Sequence, residues 1–167
     1  MIKFDRHRLI FGLYLIVLVA AAQLLTGYLK VPGWPAFMAL IFFFLTHLDL
    51  KQVPHILCGA LAGIVLVLIA PVVIGALARL LGPQWGQLAY VLLAVYAIVA
   101  LGPTLPLIFN NYAFMYLTVG AVALETHEAD PYVWAAVALL GGLLLIAGAI
   151  GIARASGLHP AHAPAAH

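Results

Sequence analysis

The chain has 167 residues, of which 66% are hydrophobic and 7% are charged, and its formal net charge is +2. Because soluble domains average about 25% charged residues, this composition excludes a water-soluble globular protein. The small net charge says little about partners, but the lack of a Lys/Arg cluster argues against a nucleic-acid partner. The single cysteine, Cys58, excludes an internal disulfide.

Long apolar stretches run through the chain, separated by short segments that are polar or contain Pro and Gly. Only helices and closed barrels satisfy backbone hydrogen bonds in lipid, and continuous rather than alternating hydrophobicity favours helices. We therefore predict an all-α, polytopic integral membrane protein with about six transmembrane segments, embedded in the lipid bilayer.

The six predicted spans are taken in chain order: 9–29, 34–48, 55–80, 87–101, a fifth that follows a Gly/Pro break at 102–106 and ends at 124, and 131–155. Pro71 lies inside the third span and should kink it, and Pro131 is a favourable first-turn residue for the sixth. Residues 1–155 form a single predicted transmembrane domain. The tail 156–167 is rich in Ala, Pro and His and is predicted to be disordered.

Two short apolar segments, 37–46 and 109–118, match at the same positions in two predicted halves, 9–80 and 87–155. Each half has three spans, so the halves have opposite orientations in the membrane. The pattern predicts a 3+3 inverted repeat with short or broken second and fifth helices, with chance similarity of apolar helices as the alternative. The identical pairs are Phe37 with Phe109, Phe42 with Phe114, Leu45 with Leu117 and Thr46 with Thr118.

The basic residues predict the orientation of the chain. With six spans, the side that holds both termini has five of them, and the other side has Lys30 and Arg79. The positive-inside rule then places both termini in the cytoplasm. The five are Lys3, Arg6, Arg8, Lys51 and Arg154. The alternative is four spans with the short segments packed as re-entrant pieces, which keeps both termini on the same side.

Asn110 and Asn111 are the first candidates for a functional site, because amides at membrane depth are costly and usually have a role. They follow a helix break, so they are predicted to line a polar path for a solute. The alternative is that they join helices by hydrogen bonds. The other predicted path residues are Tyr112, Tyr116, Phe37, Phe109, Thr46 and Thr118.

His47, Asp49 and His55 are weak candidates for a metal site or a proton relay, since imidazole and carboxylate suit both roles. A solvated turn at the membrane surface is the alternative. A membrane enzyme acting through these three residues is a further, less favoured hypothesis. The sequence shows no nucleophile–His–acid set, phosphate loop or paired catalytic carboxylates, so we predict no enzymatic activity and no cofactor.

Several of these features together resemble a family of small bacterial inner-membrane proteins known as domain of unknown function 1097. The resemblance lies in Trp34-Pro35-Ala36-Phe37 and the aromatic run after it, in Leu50-Lys51, in the Gly-containing third span and in Pro106-Leu107-Ile108-Phe109. It covers about residues 30–155. It implies a bacterial cytoplasmic (inner) membrane location and carries over no catalytic or ligand residue.

We therefore predict a membrane channel or transporter for a small neutral solute or ion, with a polar path near Asn110 and Asn111. A homo-oligomer is expected, because a chain of this size has little bulk to enclose a pathway and its helices are rich in Gly. The alternative is a non-transporting accessory or assembly subunit of a larger membrane complex. In that case the amides and glycines form contact surfaces.

Overall fold

The computed structural model describes residues 6–126 and 130–157, and this part of the chain is helical and contains no strand. The prediction of an all-α protein is confirmed. A 3-10 turn, Leu50–Gln52, and a π-helical turn, Val137–Gly141, interrupt the α-helices. The α-helices are α1 (Arg6–Leu29), α2 (Trp34–Leu45), α3 (Val53–Leu81), α4 (Pro83–Leu101), α5 (Asn111–Glu125), α6 (Pro131–Ala136) and α7 (Gly142–Ala155).

Four helical stretches are long and apolar enough to cross a membrane, within the described residues: Arg6–Leu29, Leu50–Leu81, Pro83–Leu101 and Pro131–Ala155. The two remaining helices are shorter: α2 has 12 residues and α5 has 15. At a rise of about 1.5 Å per residue they are shorter than the hydrocarbon core of about 30 Å. A membrane protein with four candidate spans is supported, and six spans in an inverted repeat stay a prediction.

The helix ends differ in detail from the predicted spans. The second helix ends at Leu45 instead of continuing to 48, and the fourth begins at Pro83 instead of 87. Pro83 occupies the first turn of α4, where its missing N–H is not needed. The third helix continues through Pro71, whose nitrogen donates no helical hydrogen bond.

The chain forms two compact units, 1–53 with 136–167 and 54–135, which we call unit 1 and unit 2. Each unit has its own core. Their boundaries do not coincide with the sequence halves 9–80 and 87–155.

The core of unit 1 lies where α2 packs against α7 and the π-helical turn. Its central residues are small or branched, so the helices approach closely: the Cβ position of Gly141 lies 2.9 Å from the Cβ of Ala36. Helix α1 covers this pair with partly buried side chains such as Leu18, and none of its own residues is buried. The buried cluster comprises Ala36, Leu40, Leu145 and Ala149.

The core of unit 2 lies along the Gly-containing face of α3, and glycines allow two backbones to meet there. A Cβ on Gly63 would overlap α5, since its position is 2.6 Å from the Cβ of Tyr116 and 2.8 Å from the amide nitrogen of Leu117. On α4 a single stripe is buried: Gly86, Tyr90, Ala94 and Ile98.

The start of the predicted tail is ordered, contrary to expectation. Ser156 is only 5% exposed, and its hydroxyl donates to the carbonyl of Ile152 at 2.8 Å. The backbone of the last turn of α7 therefore continues into residues 156–157 through hydrogen bonds. The rest of the tail, 158–167, lies outside the described residues.

Candidate functional site

Residues 102–110 of unit 2 form the break between α4 and α5. This break consists of hydrogen-bonded turns rather than extended chain. Pro103 and Pro106 have no N–H to continue a helix. The amide of Leu105 donates to the carbonyl of Leu101 at 2.8 Å, and that of Phe109 donates to the carbonyl of Leu105 at 2.9 Å. The side chains of residues 103–108 are exposed.

Asn110 ends the break and caps α5. Its backbone is extended, with φ −145° and ψ −179°, and its Oδ1 accepts a hydrogen bond from the amide of Ala113 at 3.1 Å. This is the usual role of Asn at a helix N-terminus, where the first amides have no helical acceptor.

The Nδ2 of Asn110 joins the break to the start of α3. It lies 3.1 Å from the carbonyl oxygens of His55 and Pro106 and 3.2 Å from that of Leu107. An amide has two N–H groups, so three carbonyls exceed its donor capacity. Both the side-chain oxygen and the amino group of Asn110 therefore form hydrogen bonds inside unit 2. The oxygen caps α5, and the amino group links the break to α3. Whether Asn110 also contacts a solute stays a prediction.

His55, which is bonded to the break, is the second notable residue of this site. It lies in the first turn of α3, and its carbonyl accepts from Asn110. Its Nδ1 is buried and has no hydrogen-bond partner among the described residues. A buried polar atom without a partner costs about 1–3 kcal/mol, so such an atom needs an explanation.

The other predicted path residues fall into two places. Tyr112 is half-buried and Tyr116 is fully buried, both on the side of α5 that meets the glycines of α3. Asn111 is exposed at the first turn of α5, and Phe109 is half-buried in the break. All four belong to unit 2.

Phe37 and Thr46 belong to unit 1, in and just after α2. The hydroxyl of Thr46 donates to the carbonyl of Phe43 at 2.8 Å. Thr118, its sequence counterpart in α5, likewise donates to the carbonyl of Phe114 at 2.9 Å. Both hydroxyls are thus bonded to carbonyls three or four residues back along the chain.

The weak metal candidates are also divided between the units. His47 is exposed in a tight turn after α2, with φ 56°. Asp49 starts the 3-10 turn, and its Oδ1 accepts from the amide of Lys51 at 2.9 Å. Among the residues that the structure describes, no group of three or more His, Cys, Asp or Glu side chains is placed to hold a metal ion.

The acidic loop 125–130 is described only at its ends. Glu125 is the last residue of α5. The side chain of Asp130 accepts from the amide of Tyr132 at 3.0 Å and so satisfies the first turn of α6. Residues 127–129 lie outside the described residues.

Sequence reasoning did not anticipate two features. The cap formed by Asn110 was signalled by its position just before an apolar helix. An apolar surface groove of about 420 Å³ on unit 2 had one signal, the exposed Trp85. The groove is lined by Leu81, Trp85, Leu88, Ala89 and Leu92.

Comparisons with known proteins give no relative of this chain. No family model matches it, and neither a curated protein nor a solved structure does so. The resemblance to domain of unknown function 1097 stays a prediction. Function is therefore to be argued from the chemistry of the residues themselves.

Proposed function

We propose that the protein is a membrane channel or transporter for a small neutral solute or ion. It would lie in a bacterial inner membrane as a multi-pass, six-segment homo-oligomer with both termini in the cytoplasm, and with α2 and α5 as the short helices of an inverted repeat. It needs no cofactor and catalyses no reaction. The four long apolar helices support the membrane location, and the basic residues support the orientation.

One observation carries the transport proposal: the Nδ1 of His55 is buried without a hydrogen-bond partner among the described residues, and the carbonyl of the same residue is bonded to Asn110 at the helix break. Backbone groups at a broken helix are the usual binding sites of membrane transporters. A neutral imidazole offers Nδ1 as an acceptor when the proton is on Nε2. A solute that reaches this atom and donates a hydrogen bond supplies the partner that the described residues do not.

The surroundings of this nitrogen favour a neutral solute. Residues 54–124 contain one charged side chain, Arg79, which lies near the end of α3. A permanently charged solute would find at most one counter-ion, Arg79, along these residues and would cross at a high cost. Urea, glycerol and ammonia combine neutrality with hydrogen-bond donors.

Flux into proteoliposomes tests this proposal. Purified protein in vesicles is expected to accelerate the entry of at least one of urea, glycerol, ammonia or a monovalent ion over empty vesicles. The variant His55→Leu removes the acceptor and is expected to lower the flux at least about tenfold. His55→Asn keeps an acceptor close to the position of Nδ1 and is expected to retain part of the flux.

His47→Leu is the matched control, since His47 is exposed and lies in the other unit. Its flux should equal that of the unmodified protein. A protein that passes none of the four probes contradicts the transport proposal. Unchanged flux in His55→Leu would show that His55 does not line the path. The proposal that the protein is a transporter or channel would not be affected.

A second candidate is a non-transporting accessory or assembly subunit, and the bonding of Asn110 favours it. All of the hydrogen-bonding groups of this amide are used within unit 2. An amide that only joins helices needs no solute. If this candidate is right, the vesicles show no flux, and the protein co-purifies with a larger membrane complex from its native membrane.

A further inference from the structure

One end of unit 1 brings together the beginning of α1 and the end of α7. The Nδ1 of His7 lies 2.8 Å from the carbonyl oxygen of Ser156, and the Cβ position of Gly157 is 3.3 Å from the same nitrogen. Further along, Leu18 of α1 contacts Gly148 of α7, with Cδ1 2.9 Å from the Cβ position. The two helices are therefore antiparallel, and Arg6, Arg8 and Arg154 lie at the same end.

The C-terminal end of α2 lies there as well. The rings of Phe11 in α1 and Phe44 in α2 meet edge to face, with centroids 6.1 Å apart. The chain then turns tightly through 46–49, where the amide of Leu48 donates to the carbonyl of Phe43 at 3.1 Å. Lys51 follows directly in the 3-10 turn. We call Arg6, Arg8, Lys51 and Arg154 the basic end.

The charge of the basic end is not neutralised within the part of unit 1 that the structure describes. All four side chains are exposed, and none forms an ion pair with a described carboxylate. Asp49, the described acid nearest to Lys51 along the chain, accepts the amide of Lys51. Asp5, which precedes Arg6 in the sequence, lies outside the described residues. At the other end of the unit, residues 29–35 and 136–142 contain one charged residue, Lys30.

We propose that the basic end binds the phosphate headgroups of anionic phospholipids. Arginine matches phosphate with two parallel hydrogen bonds, and Lys and Arg at the ends of membrane helices attract anionic lipid. The adjoining surface fits the rest of the lipid, because Leu9, Leu13 and Ile16 of α1 are more than half exposed, at 57%, 65% and 66%. A headgroup at the arginines places its acyl chains along this apolar face.

Lipid retention by the detergent-solubilised protein tests the proposal. Protein is incubated with equal amounts of phosphatidylglycerol and phosphatidylcholine, and the bound lipids are counted by native mass spectrometry. The unmodified protein is expected to retain phosphatidylglycerol at least about tenfold better. Higher salt should weaken this preference, since the contact is electrostatic.

Three kinds of variant sharpen the test. The triple change Arg6→Gln, Arg8→Gln and Arg154→Gln is expected to bring the retention of the two lipids close to equal. Each single change should lower the preference by up to about fivefold. Lys30→Gln is the matched control at the opposite end of α1, and it should keep the full preference. Circular dichroism checks that each variant is folded.

Equal retention of both lipids by the unmodified protein overturns the proposal. A triple variant that is folded and still prefers phosphatidylglycerol overturns it too. If the triple variant does not fold, the single variants and the salt dependence test the proposal instead. A preference for phosphatidylglycerol that neither the single changes nor salt alters contradicts binding at the basic end. Lipid retention does not depend on flux, so this test is independent of the transport proposal.

Discussion

The two short helices, α2 and α5, share a similar sequence and follow Pro-containing breaks, yet they begin in different ways. Gly33 caps α2 without a side-chain hydrogen bond, and Pro35 lies in its first turn. Asn110 caps α5 with its own side chain. The matched phenylalanines consequently differ in place, since Phe37 lies inside the first helical turn and Phe109 precedes its helix.

The packing of the two helices differs as well. Helix α2 meets α7 through side chains, so its closest approach is between methyl-sized groups such as that of Ala36 and the position of Gly141. Helix α5 meets α3 through backbone, at Gly59 and Gly63. A Cβ added at Gly141 would lie closer than 3 Å to a single atom, whereas one added at Gly63 would lie within 3 Å of backbone and side-chain atoms of α5. The comparison predicts that unit 2 is the more sensitive to added volume.

Gly63→Ala is expected to have the largest effect on stability. The new Cβ would lie 2.6 Å from the Cβ of Tyr116 and 2.8 Å from the amide nitrogen of Leu117, so α5 has to move. We expect a loss of about 3 kcal/mol in the free energy of unfolding, measured by denaturant titration in detergent.

Gly75→Ala is the control in the same helix, because the space around Gly75 is open. Alanine has the higher helix propensity, so this variant should be as stable as the unmodified protein or more stable by up to about 1 kcal/mol. Equal stability of the two variants would show that α3 and α5 do not meet at Gly63.

Asn110→Leu is expected to have the next largest effect. It removes the cap of α5 and the hydrogen bond to the carbonyl of His55, at a combined cost of about 2 kcal/mol. Asn110→Ser keeps a capping oxygen and loses the donors to the carbonyls, so its stability should be intermediate. Thermal unfolding followed by circular dichroism measures both.

Asn111→Leu is the natural control, since Asn111 is the neighbouring amide and is exposed. Its unfolding temperature should stay within error of the unmodified protein. If the two leucine variants lose the same stability, the cap and the link formed by Asn110 contribute nothing.

Gly141→Ala is expected to have the smallest effect of the three. Its Cβ would lie 2.9 Å from the methyl group of Ala36, and its next neighbour, Val137 Cγ1, is 3.7 Å away. Only one atom lies closer than 3 Å, so a small shift of α2 relieves the overlap, and a loss of about 1 kcal/mol is expected in the same denaturant titration. Gly151→Ala, in open space on α7, should cause no loss. A loss in Gly141→Ala as large as that in Gly63→Ala would contradict the distinction between α2 and α5.

The candidate site was predictable only in part. The sequence indicated a polar group at a helix break, because Pro103, Pro106 and the two asparagines stand out in an apolar chain. It did not indicate which asparagine is bonded, since Asn110 and Asn111 are chemically identical and differ only in where the helix begins. It also did not single out the buried nitrogen of His55, which lies 55 positions before Asn110.

Composition and the lengths of the apolar stretches determined the class of this protein, a helical membrane protein, because the need to satisfy backbone hydrogen bonds in lipid leaves few alternatives. Prolines determined where the chain breaks, since they cannot donate to a helix. Only the tertiary structure decided how the polar groups are used. The hydrogen bond from Asn110 to His55 and the backbone contacts at the glycines of α3 join atoms that are distant in sequence and close in space.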